Sequence, residues 1–293
     1  MSSQITTAMV QQYKSGIEIL FQQSQSLFRP AVRVETVNAK YGFFDQITAT
    51  TAQTKTTRHA DLVITDTPHA RRRVSMVDKY VADYIDKEDL IRILNNPMNE
   101  YAMNHVMALN RAIDDEIITA SDATAYTGET GATSTSYDSN MTVAVTVRDS
   151  GSGATGMNVA KLRGAKRLLD EKDVPLNDRF IAISPLQLSE LLSATAITSS
   201  DYNSVKALVS GEVDTFLGFK FLMSNRLDKD ASNYRKCLFW HKSGLLLGMG
   251  QEIQVSIDPI PQKGNALLIQ ASVTMGAVRM NENAVGMILC SEA

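Results

Sequence analysis

One continuous stripe of apolar side chains between residues 97 and 120 is the clearest hydrophobic pattern along this chain. Its members recur every three or four residues and are Met98, Ala102, Val106, Leu109, Ile113 and Ile117. This spacing predicts a helix of about six turns, roughly 36 Å long, with one apolar face. Asn95 and Asn96 come before Pro97, so a polar cap followed by a proline marks the start of the helix.

The residues before this helix carry apolar side chains without a compact pattern. Residues 9–28 have the periodicity of a glutamine-rich amphipathic helix that ends at Arg29 and Pro30. Residues 31–47 are expected to form extended chain. Both segments are expected to need a surface to lie on.

A threonine-rich stretch at residues 48–67 is almost free of large apolar side chains, apart from Leu62, Val63 and Ile64. Turn-forming residues follow, and residues 71–77 can return as a second strand. The pattern predicts a long exposed hairpin without a core of its own. Because isolated ribbons are marginally stable, we expect a surface of this chain or of a neighbouring copy to hold it.

The second half of the chain has a compact α/β pattern. An alternating strand is predicted at 141–147, and a domain boundary is predicted near 150–156. Predicted helices lie at 158–172 and at 201–210. A further helix is predicted to begin with Ser184 as its N-cap, Pro185 at the first helical position and Gln187 as the capping-box glutamine. Predicted strands lie at 179–183, 216–223, 237–241, 251–257, 267–275 and 285–290.

Composition indicates a globular protein. The 293 residues are 44% hydrophobic, enough for two domains, and the net charge of −3 argues against a protein that neutralises nucleic-acid phosphates. Cys237 and Cys290 lie in apolar strands, which predicts core thiols and no disulfide framework. Residues 1–13 lack a signal-peptide pattern and no run is long enough to cross a bilayer, so we expect a soluble protein.

Gly151, Gly153 and Gly156 match the G-x-G-x-x-G pattern between a strand and a helix, which is the best sign of enzyme chemistry in the chain. A nucleotide cofactor is one interpretation, and a flexible interdomain hinge is the other. The next strand ends at Ser184 without the acidic residue that would hold a ribose, and Met157 stands where a P-loop needs lysine. The hinge is therefore the favoured interpretation.

Other reactive side chains form no recognisable site. The four histidines are scattered over different elements, so no metal site is predicted. Asp114, Asp115 and Glu116 are consecutive, which spreads them around the helix as a solvated face. No G-x-S-x-G elbow occurs. We therefore expect no catalytic residues, no metal and no cofactor.

Arg71, Arg72 and Arg73 form the only dense positive run. They could contact another subunit, contact a nucleic acid, or simply lie on a solvated strand. If the hairpin lies on a neighbour, its arginines are natural partners for carboxylates there. The corresponding hypothesis is that charge reversal at Arg72 weakens assembly without unfolding the subunit.

The order of these parts resembles the major capsid proteins of tailed bacteriophages, whose fold is shared with herpesvirus capsids and encapsulin compartments. An extended arm, a long hairpin, a long helix beside a sheet, an α/β domain and returning C-terminal strands follow one another. The stretches that carry the resemblance are 67–77, 81–90, Asn96, Pro97, Tyr101, 111–117 and 211–225. It covers nearly the whole chain.

The resemblance implies an α+β fold in four parts. These are an N-terminal arm at 1–46, an E-loop hairpin at 47–78, a peripheral domain at 79–154 and 266–293 with a spine helix at 97–120, and an α/β axial domain at 155–265. It further implies a non-enzymatic subunit that forms hexamers and pentamers of an icosahedral head around double-stranded DNA. The alternatives are an encapsulin-like compartment shell and a nucleotide-cofactor-dependent enzyme that uses Gly151–Gly156.

Expected contacts between copies involve the arm and the hairpin. The candidates are Phe21, Phe28, Lys55, Arg58, Arg71, Arg72 and Arg73, with Gly151, Gly153 and Gly156 as the hinge. Lys55 is the only lysine of the hairpin, and no covalent cross-link is expected from it. The resemblance also implies a separate scaffolding protein, a portal, a decoration protein and packaged DNA bound without sequence specificity. The expected location is the virion, after assembly in the host bacterial cytoplasm and away from membranes.

Overall fold

The computed structural model describes residues 19–59, 61–86, 98–149, 151–193 and 215–292. The predicted helix at 201–210, the caps of the long helix and residues 9–18 lie outside this part. The helices are α1 (Met98–Asp122), α2 (Val159–Asp170) and α3 (Pro185–Ser193). The strands are β1 (Arg33–Thr36), β2 (Tyr41–Ile47), β3 (His69–Ser75), β4 (Val77–Ile85), β5 (Ala125–Thr127), β6 (Thr133–Thr135), β7 (Thr142–Val143), β8 (Arg179–Ile183), β9 (Thr215–Phe216), β10 (Phe219–Met223), β11 (Arg235–His241), β12 (Leu245–Ile260), β13 (Ala266–Arg279) and β14 (Val285–Cys290).

These strands form three sheets. One has the order β1-β12-β13-β4, the second β7-β14-β11-β8-β10-β9, and the third β2-β3-β5-β6. By its contacts the chain divides into two units. The first comprises 1–25, 78–111 and 252–273, and the second comprises 26–77, 112–251 and 274–293. The domain boundary predicted at 150–156 lies inside the second unit and does not coincide with a boundary between the two units. The division into four functional parts stays a proposal.

The six-stranded sheet contains many fully buried residues of the second unit. All five residues of its strand β8 are buried, and β8 pairs in parallel with β10 and antiparallel with β11. Trp240 on β11 is completely buried and stacks between Phe28 and Phe180, at centroid distances of 5.6 and 6.0 Å. Its indole N–H donates to the carbonyl of Ala31 at 2.9 Å, which satisfies the polar end of the ring.

Two helices begin as the sequence predicts. The Oδ1 of Asn158 accepts from the Lys161 N–H at 2.9 Å and caps α2, whose buried side chains include Leu162 and Leu169. Gln187 Oε1 accepts from the backbone N–H of Ser184 at 3.2 Å, so the predicted capping residues meet at the start of α3. The long helix is also confirmed, because α1 covers Met98–Asp122.

Four sequence predictions are wrong in detail. Residues 19–28 are irregular rather than helical. The predicted strand 141–147 is reduced to β7, because the chain turns where the Val147 N–H donates to the Ala144 carbonyl. The strand 216–223 is divided by Leu217 and Gly218, whose φ angles of 53° and 87° make a two-residue hairpin between β9 and β10. The fourth wrong prediction concerns residues 48–67, whose described part forms an irregular exposed loop and no strand.

Candidate interaction surface

The segment 48–68, called the exposed loop below, contains no strand among its described residues. β2 and β3 form the base of a hairpin, with Ile47 opposite His69, and the Thr48 N–H donates to the Pro68 carbonyl at 3.1 Å. Beyond that bond the chain is irregular, and every described residue from 48 to 68 is exposed. The expected hairpin exists, but its paired strands β2 and β3 flank the threonine-rich stretch and do not include it.

Three aliphatic side chains lie in the open on this loop. Leu62, Val63 and Ile64 are 87%, 72% and 88% exposed. Asp61 and Asp66 flank them and are exposed as well. Three consecutive large aliphatics in water are unusual for a monomeric protein and indicate a surface that another molecule covers. Lys55 and Arg58, the candidate contacts of this loop, are also exposed.

The sheet β2-β3-β5-β6 at the base of the loop has two faces of different character. Along β2, residues alternate between exposed and partly buried, so Tyr41, Phe43 and Asp45 share the outer face. The inner face carries Phe44, which packs on a core cluster that contains Val74. The other members of this cluster are Ala125, Leu246, Val278 and Met280.

Arginine side chains and aromatic rings together cover the outer face, which we call the aromatic-arginine face. It consists of Tyr41, Phe43, Arg71, Arg73 and Tyr126. The Arg73 guanidinium lies over the rings of Tyr41 and Tyr126 at 4.9 and 4.6 Å, and that of Arg71 lies over Phe43 at 5.8 Å. The three rings are 40–42% exposed. Such contacts hold the guanidinium groups in place.

The two arginines of this face differ in their charged partners. Arg71 Nε donates to Asp45 Oδ1 at 2.6 Å, and this hydrogen bond lowers the pKa of the Asp45 carboxyl. Within the described part of the chain, no carboxylate pairs with Arg73, and its buried Nε has no hydrogen-bond partner. Gly131 leaves room for the Arg73 side chain, since a Cβ there would lie 2.6 Å from Arg73 Cδ. Arg73 is therefore held by rings and packing.

The Arg72 side chain lies on the opposite, inner face of the sheet and is buried within the second unit. Its Nη2 is 2.8 Å from Glu282 Oε1, its Nε donates to the Met280 carbonyl at 3.2 Å, and its side chain is only 8% exposed. Glu282 also binds Arg279, which is fully buried. Burial lowers the pKa of Arg72, the charge of Glu282 raises it, and that of Arg279 lowers it further. Charge reversal at Arg72 would break this network, so the structure argues against the hypothesis that it weakens assembly without unfolding the subunit.

Phe28 is likewise part of the interior. It is 0% exposed and stacks on Trp240, so its side chain has no surface to offer a neighbouring copy. Asp114 holds the backbone here: its carboxylate accepts from the N–H groups of Leu27 and Phe28 at 3.1 and 3.2 Å, and from the Ser26 hydroxyl. Asp114 is fully buried, which corrects its interpretation as part of a solvated face. A charged group with three such donors is well satisfied.

Phe21, in the first unit, remains a candidate contact. It is fully exposed, as is the neighbouring Leu20 at 86%. Polar side chains of α1 hold the adjacent chain: Gln22 Nε2 donates to Asn104 Oδ1 at 2.8 Å, and Arg111 Nη1 donates to Gln22 Oε1 at 2.6 Å. The segment is therefore tied to the helix by polar groups, while its apolar side chains face outward.

The glycine segment is fixed by groups of the same chain. Gly151 and Gly153 have φ angles of 91° and 98°, and Arg148 donates to the Gly153 carbonyl at 2.6 Å. A Cβ at Gly156 would lie 1.9 Å from a carboxylate oxygen of Glu190. These constraints explain locally why glycine occupies each of the three positions, and they argue against a freely moving hinge.

A nucleotide phosphate would also find the polar groups of this segment already engaged. The Met157 N–H donates to Glu190 Oε2 at 2.8 Å. The Lys161 amine is buried and donates to the carbonyls of Thr155 and Leu289 at 2.6 and 2.7 Å. A carboxylate thus lies where an anionic cofactor would need a donor. This arrangement argues against the enzyme alternative.

The end of strand β14 is held by an ionic cluster. Glu292 accepts from Arg235 at 2.7 and 3.0 Å, lies 2.8 Å from the Lys229 amine, and accepts from Gln187 Nε2 at 3.1 Å. Arg235 above all lowers the pKa of Glu292 to about 2, although burial opposes the shift. These bonds tie Glu292 to β11 and α3.

Other chemistry is not supported in the part of the chain that the structure describes. No group of three or more histidine, cysteine or carboxylate side chains there could hold a metal ion. Both cysteines are buried and free. None of the described helices has the length and the hydropathy needed to cross a membrane.

Sequence reasoning missed the aromatic part of the surface. Tyr41 and Phe43 are two residues apart in a strand, as are Arg71 and Arg73, so period-two reading could have placed each pair on one face. The sequence alone could not show that the two pairs share one face, because this depends on the pairing of β2 with β3. Tyr126 reaches the same face through a third strand.

Comparisons with known proteins agree on one class. The sequence profile of a family described as phage capsid protein matches residues 5–292. No curated protein sequence matches the chain significantly. The solved capsid of cyanophage P-SCSP1u is similar, with a TM-score of 0.76 and 14% identity over 100% of this chain and 96% of that one.

Two further solved structures have the same fold. The capsid of Ralstonia phage GP4 gives a TM-score of 0.75 at 11% identity, covering 97% of this chain and 96% of that one. The capsid of a native GTA particle gives 0.71 at 12% identity, with both chains covered completely. At these identities the likeness concerns the fold, and it extends over whole chains.

Proposed function

This chain belongs to the phage capsid protein family, and from that membership we propose that copies of it assemble into the hexamers and pentamers of an icosahedral head. It is a structural protein of the virion. In our proposal the head encloses double-stranded DNA, and the subunits assemble in the host bacterial cytoplasm. A scaffolding protein, a portal and a decoration protein are the proposed accessory partners.

The observation that carries the proposal is the exposed loop. All of its described residues are in water, and the loop is closed by bonds between Thr48 and Pro68. A segment without buried contacts gains little stability from its own chain, so ordering it costs conformational entropy that other molecules must offset. A neighbouring copy supplies such a surface at high local concentration, which couples the order of the loop to assembly.

The proposed division of labour follows the four parts named above. The arm and the E-loop reach neighbouring copies, while the peripheral and axial domains supply the folded body. Phe21, Lys55, Arg58, Arg71 and Arg73 remain candidate contacts, because the described structure leaves their side chains at least partly exposed. Phe28 and Arg72 do not belong to that set, because their side chains are buried. Heterologous contacts of this kind close rings when the rotation between copies is suitable.

The proposal is tested by electron microscopy of the purified full chain, expressed alone and with the scaffolding protein of its phage. We expect closed shells with five-fold and six-fold clusters. Analytical ultracentrifugation of the same sample gives the mass of the assembled species. A chain that stays monomeric at high concentration under both conditions would contradict the proposal.

A further inference from the structure

Two exposed surfaces of this chain are complementary in chemistry. One is the aromatic-arginine face, and the other is the segment Asp61–Asp66 of the exposed loop, whose sequence is D-L-V-I-T-D. We propose that the Asp61–Asp66 segment of one copy docks on the aromatic-arginine face of a second copy. This inference rests on the proposed function, since it names the two surfaces through which copies meet.

The face has the properties of a preformed binding surface. Its rings are 40–42% exposed, and the guanidinium groups are already stacked on them. Tyrosine and arginine are the residues that carry much of the binding energy at protein interfaces. Side chains that are held before binding lose little entropy on binding, which favours affinity.

Charge complementarity selects the occupant. Asp45 and Glu129 lie close enough to Arg71 to interact with its charge, whereas the described residues provide no carboxylate partner for Arg73. The face therefore has a positive charge without a carboxylate partner that lies over the rings of Tyr41 and Tyr126. The segment Asp61–Asp66 brings a carboxylate at each end of an apolar centre. An aspartate of this segment pairs with Arg73, and the aliphatic side chains cover the rings.

The dimensions of the two surfaces agree. An extended chain rises about 3.3 Å per residue, so the triplet Leu62–Ile64 spans roughly 7 Å and the two aspartates are roughly 16 Å apart. Along β2, the distance from Tyr41 to Asp45 is roughly 13 Å by the same measure. A segment of this length can therefore place one aspartate at Arg73 while its aliphatic side chains lie against the neighbouring rings.

The occupant comes from a second copy. In the structure all of the described residues from 61 to 68 are exposed, and Leu62, Val63 and Ile64 are 72–88% exposed, so this segment does not cover the face of its own chain. The donor and receptor surfaces differ, which makes the contact heterologous. Such contacts repeat around a ring, and each copy then gives one loop and receives another.

A photo-crosslinking experiment tests the pairing. Phe43 is replaced by benzoylphenylalanine, an aromatic residue that keeps the character of the face, and assembled particles are illuminated. We expect a cross-linked dimer on a denaturing gel, with mass spectrometry placing the link within residues 61–66. The reciprocal variant, with benzoylphenylalanine at Val63, should link to strand β2, β3 or β5. The matched control carries the probe at Leu176, which is 67% exposed, and should give no link to these segments.

A charge-exchange experiment gives an independent measurement. Arg73→Glu should lower the yield of particles at least tenfold, because it places like charges together. Combining it with Asp61→Arg and Asp66→Arg should restore the yield to within threefold of the unsubstituted chain. A combined variant that is no better than Arg73→Glu alone would contradict the pairing.

The outcomes separate this inference from the proposed function. Particles that form but cross-link through other segments overturn the pairing and leave the shell function intact. If the unsubstituted chain forms no particles with or without its scaffolding protein, both proposals are overturned. Links between residue 43 and residues 61–66 of another copy support both.

Discussion

The six-stranded sheet and the exposed loop use aliphatic and aromatic side chains in opposite ways. Around Trp240 the sheet buries aromatic and aliphatic side chains, and the Trp240 indole N–H is paired within the chain. On the loop, Leu62, Val63 and Ile64 face water. The first region contributes buried contacts to the folding free energy of the subunit, whereas the second has few contacts within its own chain that a substitution could remove. Substitutions should therefore affect unfolding in one region and assembly in the other.

The largest expected effect on unfolding comes from the stack on Trp240. Phe28→Ala should lower the free energy of unfolding by about 4 kcal/mol, because a fully buried ring leaves a cavity. Phe21→Ala is the matched control and should change it by less than about 0.5 kcal/mol, since Phe21 is exposed. Urea denaturation followed by the fluorescence of Trp240, the single tryptophan, measures both. Equal effects of the two variants would contradict the division between regions.

The next effect distinguishes two neighbouring arginines of β3. Arg72→Glu should lower the free energy of unfolding by about 3 kcal/mol, because it leaves a buried carboxylate beside Glu282. Arg71→Glu lies on the outer face beside Asp45 and should lower the free energy of unfolding much less than Arg72→Glu does. Thermal unfolding by circular dichroism compares them. A more stable Arg72→Glu than Arg71→Glu would show that the inner network contributes less than its geometry suggests.

These arginines also show what the sequence could and could not predict. Alternation in a strand separates Arg72 from Arg71 and Arg73 without any structure. The direction of each face depends on Glu282 and Met280, which lie more than two hundred residues away in the chain. Local pattern therefore predicted the strand, while the role of each arginine required the tertiary contacts.

The helix predicted for the N-terminal segment was wrong for a related reason. Its spacing is that of an amphipathic helix, but the described part from residue 19 is irregular. Asp114 accepts hydrogen bonds from the N–H groups of Leu27 and Phe28, which would otherwise be available to a helix. A distant carboxylate that competes for the backbone leaves no trace in local periodicity. The long helix and the buried strands β8 and β14 were predicted well, because their apolar faces agree with the core that covers them.

A smaller effect should appear when pH is lowered through the titration of Glu292. Its pKa is lowered from the ordinary 4.5 to about 2 in the folded chain, so its contribution is fully present above pH 4.5 and is lost as pH falls through 2. We expect a loss of about 2 kcal/mol of unfolding free energy, allowing for solvent screening. Glu292→Gln should remove this part of the pH dependence. Urea titrations of the unsubstituted chain and of Glu292→Gln at pH 5 and pH 2.5 give the change in unfolding free energy between the two pH values. An identical change in both chains would contradict the prediction.

The smallest effect on unfolding should accompany the largest effect on assembly. Replacing Leu62, Val63 and Ile64 together with serine removes aliphatic surface that is already in water, so the free energy of unfolding should change by less than about 0.5 kcal/mol. If a second copy covers these side chains, each serine forfeits roughly 2 kcal/mol of burial at every contact. Particle yield by electron microscopy should then fall by at least tenfold while the urea midpoint of the subunit stays constant. A variant that unfolds earlier would place these residues in the core of their own chain, and one that still forms shells would show that the loop is not the surface where copies meet.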